Sequence, residues 1–185
     1  FLTQRYIQLW GGELRGVVLS GSTGLAVIPP EALPYMEMAA AGDARDRYPE
    51  TSLMSAFNQP FEPAKTPFDW LSRDEAEVQK YLDDPWCGFP FSNGMNLELA
   101  RGMVQMLDPE NQARVSKDLP VLLLSGELDP VGANNGVRAL EHRYNELGIR
   151  DVQVILYPQA RHEMLNETNR DEVHRDVLAW LENHL

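Results

Sequence analysis

The chain has 185 residues, 43% of them hydrophobic and 24% charged, with Lys+Arg 16 against Asp+Glu 28 for a net charge of −12. That length and composition suit one globular domain with a real core and exclude a disordered chain or a disulfide-stapled miniprotein. The negative balance disfavours nucleic acid and anionic lipid headgroups as partners, the single cysteine, Cys87, rules out an internal disulfide, and no apolar run approaches the ~18 residues a membrane span needs.

The chain opens Phe1-Leu2-Thr3-Gln4-Arg5, with no initiator Met and no signal-peptide pattern, which reads as a start inside an element. Leu2, Tyr6 and Leu9 recur at i, i+4 and i+7, the spacing of an apolar helix face, and Gly11-Gly12 end that helix. Gly16 to Ser20 is a short apolar run closed by glycine and is expected to be a buried strand.

From Gly21 to about Lys117 no further strand run is convincing, and prolines from Pro29 to Pro109 separate helical stretches. Ser72-Arg73-Asp74-Glu75 has the pattern of a capping box, with Ser72 as cap, before a helix carrying Val78, Tyr81 and Leu82. A further helix carries Leu97, Arg101, Val104 and Leu107. Long helical inserts between strands commonly serve as lids.

The last third is regular. Val121 to Leu124 is an apolar strand, a helix is expected over about 134–147, Val152 to Tyr157 is the next strand, and a final helix runs over about 169–184 with Val173, Val177, Trp180 and Leu181 on one face. Alternating strand and helix argue an α/β class with a parallel sheet.

In such sheets, functional groups sit just past the carboxyl ends of strands. Two loops there carry chemistry. Ser125-Gly126-Glu127-Leu128-Asp129-Pro130-Val131-Gly132 supplies an acid, and Tyr157-Pro158-Gln159-Ala160-Arg161-His162-Glu163 supplies a histidine. An aspartate after a strand is commonly only a turn former, and a single loop histidine is commonly without a role. The two together, 33 residues apart in the order acid then base, match one arrangement of nucleophilic hydrolysis: Asp129 would accept the Nδ1–H of His162, leaving His162 as general base. His142, His174 and His184 fall on expected helices and read as surface or packing residues.

Val121 to Gly132, Tyr157 to Glu167, Asp84-Pro85-Trp86-Cys87-Gly88-Phe89 and the opening helix with Leu14 to Gly21 together resemble the lysophospholipase and monoacylglycerol-lipase-like branch (serine aminopeptidase S33-type) of the α/β-hydrolase superfamily. The resemblance implies the C-terminal part of that fold. Residues 1–24 and 116–185 would be core and 25–115 a helical cap, with Asp129 as triad acid and His162 as triad base. It also implies an ester hydrolase acting on lipid-like substrates, with no cofactor. The nucleophile serine of that family lies in a Gly-x-Ser-x-Gly elbow just before the helix that here begins at Phe1. The expectation is therefore that the serine, and the other half of the fold, lie upstream of this chain. The rival expectation is a catalytically incompetent remnant or interaction fragment.

Ser22, in Ser20-Gly21-Ser22-Thr23-Gly24, has small neighbours like an elbow serine and is the one substitute nucleophile, but Pro29-Pro30 argue against the helix an elbow must enter. Arg161-His162-Glu163 lacks the second histidine of a zinc helix, so no metal is expected. Trp86, Phe89 and Met95, in the least regular part of the insert, are candidate acyl-chain contacts, with Val131 beside the acid as a further substrate contact. The expected location is the cytoplasm, extending to the membrane periphery.

Overall fold

The computed structural model describes residues 1–47, 56–131 and 135–184. Pro49, Gly132 of the acid loop and the first residue of the helix expected from about 134 lie outside the described residues.

Three parallel strands form the sheet in the order β1 (Val17–Ser20), β2 (Val121–Gly126), β3 (Val152–Tyr157). Val17 pairs with Val121, and Val121 with Val152, so the three strands run in step to a common carboxyl edge where Gly126 faces Tyr157. β2 is central and every one of its residues is buried, which is why it reads as an unbroken apolar run.

Alternation along β2 separates two cores. Val121 and Leu123 join Ile7, Leu140 and Tyr144 on one face, covered by α1 (Leu2–Trp10) and later by the helix Gly136–Glu146. Leu122 and Leu124 join Tyr157, Met164, Val173 and Trp180 on the other, under the last helix, Arg170–His184. Each fully buried leucine here contributes about 1.5–3 kcal/mol from removal of apolar surface from water.

The insert between β1 and β2 is helical: α2 (Leu33–Gly42), α3 (Glu75–Asp83), α4 (Asn93–Leu107) and a short α5 (Pro109–Gln112). The helices that follow β2 and β3 are α6 (Gly136–Glu146) and α7 (Arg170–His184). α2 lies on α4, and α4 also meets α1. No helix among the described residues is long and apolar enough to cross a membrane.

Two local expectations, the inward face of α1 and the cap of α3, are corrected. The inward face of α1 is Gln4, Ile7 and Gln8, and the stripe Leu2, Tyr6, Leu9 lies exposed. Gln4 turns inward because its Nε2 donates to Ser22 Oγ and the Thr23 carbonyl, and Gln8 because its Nε2 donates to the Met106 carbonyl. α1 ends at Gly11 as expected; Gly11 keeps a right-handed conformation and opens a 3-10 turn (Gly11–Glu13). The cap of α3 is Asp74, which accepts from Ala76 N–H, because Ser72 is occupied accepting from Asp74 N–H and donating to the Asn166 carbonyl. On α4, Leu97 is buried together with Asn93, Ala100, Met103 and Met106, and Val104 is turned outward. β1 has Val17 and Leu19 buried, and its outer side has no strand partner among the described residues.

Candidate active site

Both functional loops leave the carboxyl edge of the sheet side by side. The turn after β2 is stitched to the turn after β3 by backbone bonds, Glu127 N–H to the Tyr157 carbonyl at 3.0 Å and Leu128 N–H to the Ala160 carbonyl at 3.0 Å. Only glycine fits at position 126: a Cβ there would stand 2.1 Å from the Ala160 carbonyl oxygen. That close approach of two backbones brings the acid loop against the histidine loop.

The result is a direct pair. Nδ1 of His162 lies 3.1 Å from each carboxylate oxygen of Asp129. An ionised carboxylate only accepts, so a neutral His162 paired with it carries its proton on Nδ1 and has its lone pair on Nε2. Among the described residues Nε2 has no hydrogen-bond partner. Asp129 is buried, and its Oδ1 also accepts from Val131 N–H at 2.9 Å. The His162 side chain is 24% exposed, enough for one edge of the ring to be reached.

Two neighbours close the ring in. Trp70, from the insert, packs with its ring centroid 5.0 Å from that of His162 and 5.1 Å from that of Phe57. Gly21, at the end of β1, lies against Cε1 and Nδ1. Val131 is buried with Trp70 and Leu71, in a cluster that Val27, Phe57, Phe61, Phe68 and Tyr81 extend.

The structure thus brings together Asp129, His162 and Val131, the last through its backbone N–H. Trp86, Phe89 and Met95 are not members of the buried Trp70 cluster: Trp86 is 83% exposed, Phe89 and Met95 are also exposed, and Phe89 packs edge-on to Phe91. Ser22 is nearly buried, its Oγ accepts from Gln4 Nε2 at 2.9 Å, and an irregular stretch rather than a helix follows it. Among the described residues no three His, Cys, Asp or Glu side chains converge as a metal site requires. Trp70 and Gly21 were not legible as site residues. The signal for Gly21 was a glycine directly past a strand end; Trp70 offered none, standing 92 positions before His162.

Comparison with known proteins bears on the family and the fold. The family described as serine aminopeptidase, S33, matches residues 1–169. A monoacylglycerol lipase of Mycolicibacterium smegmatis is 28% identical over 117 residues, 63% of this chain and 40% of that protein. A thermostable carboxyl esterase from Bacillus coagulans, solved with glycerol, superposes with a TM-score of 0.84 at 26% identity over 98% of this chain and 60% of its own. A monoacylglycerol lipase from Paleococcus ferrophilus superposes with a TM-score of 0.72 at 21% identity, over 99% and 64%. The chain therefore spans less than two thirds of the length of these relatives, carries part of an α/β-hydrolase fold, and belongs to the serine aminopeptidase S33 family.

Proposed function

We propose that this chain supplies the acid and base of a serine hydrolase that cleaves carboxylic esters of lipid-like substrates, of lysophospholipid or monoacylglycerol type. The observation that carries the reading is the bond between His162 Nδ1 and Asp129 at adjacent strand ends, which leaves Nε2 as a base. The relatives named as a monoacylglycerol lipase and a carboxyl esterase support the ester class. The greater length of those relatives supports a nucleophile supplied from outside this chain, which the resemblance would put before Phe1. The unpaired outer side of β1 and the exposed face of α1 are where the preceding half of the fold would pack.

In the proposed reaction the serine hydroxyl gives its proton to His162 Nε2 as its oxygen attacks the ester carbonyl. The resulting imidazolium is stabilised by Asp129. It returns the proton to the leaving alcohol as the carbon–oxygen bond breaks, leaving an acyl-enzyme. Water then repeats the sequence, its proton passing through Nε2 to the serine oxygen as the fatty acid is released. The insert over 25–115 would act as a cap, with Trp70 and its apolar cluster facing the acyl chain.

A second reading, a catalytically incompetent remnant, is favoured by the engagement of Ser22, the one substitute nucleophile considered, with Gln4. Fatty-acid release from a monoacylglycerol separates the two. The protein extended through the residues preceding Phe1 should release fatty acid, and its His162→Ala form should not. Absence of release from the extended protein would support the remnant.

A further inference from the structure

Five consecutive residues of the insert, Asp69 to Arg73, each bond the 161–167 segment. The Arg161 guanidinium donates to the carbonyls of Asp69 and Ser72 and lies over the Phe61 ring, 4.3 Å from its centroid. His162 N–H donates to the Trp70 carbonyl at 3.3 Å, and Glu163 N–H to the Leu71 carbonyl at 2.8 Å. Ser72 Oγ donates to the Asn166 carbonyl at 2.8 Å. Arg73 donates to Glu167 through both its backbone N–H and its Nε, at 3.1 and 2.8 Å.

Glu167 is the hub of this junction. Its side chain is fully buried, yet both oxygens are saturated. Oε1 accepts from Arg161 N–H and Arg73 N–H, and Oε2 from Arg73 Nε and Thr168 N–H. Burial pushes this carboxyl up, but the bonds from Arg161 N–H, the Arg73 side chain and Thr168 N–H outweigh it and hold the group below the usual range. A charge so placed joins the histidine loop to a segment 94 residues away.

We propose that Glu167 is a positioning residue: its carboxylate locks residues 69–73 of the insert onto the histidine loop and thereby holds His162 in register with Asp129 and against Trp70. The role rests on the reading of His162 as the base. Only a carboxylate can meet four donors here. Glutamine would set an NH₂ group against two N–H donors, whichever way its amide turns.

The test is proton NMR and amide exchange on the whole chain, comparing wild type with Glu167→Gln. Expected in the variant are amide exchange at His162 and Glu163 faster by about tenfold or more, and loss or upfield movement of the low-field Nδ1–H signal of His162. The β2 amides should keep wild-type protection. Wild-type exchange at both loop amides and an unmoved Nδ1–H signal would overturn the proposal, as would equal loss of protection in β2. Should Glu167→Gln not fold, Arg73→Lys substitutes for it. That change keeps the charge but removes the Nε bond and the guanidinium bond to Asn169. It should give the same two changes at smaller size, and wild-type values would overturn the proposal equally. Neither readout needs ester turnover, so failure of the ester-hydrolase reading and failure of this one are separable.

Discussion

A Cβ on Gly21 would stand 2.7 Å from Cε1 of His162, 2.8 Å from its Nδ1 and 3.0 Å from its carbonyl oxygen. Gly21 also has φ +58, a left-handed conformation that side chains resist. Both facts act on one ring. Gly21→Ala should lose about 1–2 kcal/mol of stability and push the imidazole off Asp129, lowering ester turnover in the extended protein by about a hundredfold, as displacements near 1 Å do. Denaturant titration together with kcat measures both; wild-type turnover would refute the contact.

Asp129→Asn tests the tautomer. An amide in place of the carboxylate can turn its NH₂ towards Nδ1, which then accepts, and the proton moves to Nε2. The fold should be retained, because the Val131 N–H bond needs only one carbonyl oxygen. Turnover of the extended protein should fall by about ten-thousand-fold. A fall of less than tenfold would remove Asp129 from the mechanism.

His184 and Asp151 predict a pH dependence remote from the site. His184 Nδ1 donates to the Trp180 carbonyl at 2.6 Å and its Nε2 lies 2.9 Å from Asp151 Oδ2, with the ring stacked on Trp180. The Trp180 carbonyl first, and Asp151 second, raise the imidazole above its usual value; the His184 bond holds Asp151 below the usual carboxylate range. The raised histidine contributes stability below ~6.5 that is lost as pH rises through its folded value. The lowered aspartate contributes stability above ~3.9 that is lost as pH falls through its folded value. The melting-temperature gap between wild type and Asp151→Asn should therefore be widest between ~pH 4 and ~pH 6.5 and shrink on both sides. A gap independent of pH would contradict the pairing.

The outer side of β1 and the exposed residues Leu2, Tyr6, Leu9 and Trp10 predict self-association of the 185-residue chain. Sedimentation velocity at micromolar concentration should show species larger than monomer. Tyr6→Glu with Trp10→Glu, both on the exposed face of α1, should reduce them. A compact monomer of wild type would contradict the expectation of a missing neighbour.

The parts legible in the sequence were those with local signals. Val121 to Leu124 and Val152 to Tyr157 are apolar runs, and two consecutive parallel strands must deliver their following loops to one edge, so Asp129 and His162 could be paired from order and spacing alone. The parts not legible depend on contacts across the insert. Trp70 sits on His162, and Glu167 binds Arg73, through a junction with no periodicity and no motif. Even a correct motif misled where competition decided the outcome: Ser72 has cap chemistry, but Asn166 claims its hydroxyl proton and Asp74 takes the cap. On α1 the apolar spacing pointed to the wrong face, because two glutamines there have buried carbonyls and a hydroxyl to satisfy.

The most direct test of the central claim, that His162 and Asp129 serve a serine lying outside this chain, is labelling with a fluorophosphonate probe. The account predicts no label on the 185-residue chain, Ser22 included, and labelling of the protein extended through the residues preceding Phe1 that is abolished by His162→Ala. Label on Ser22 of the 185-residue chain, or label on the extended protein that survives His162→Ala, would contradict it.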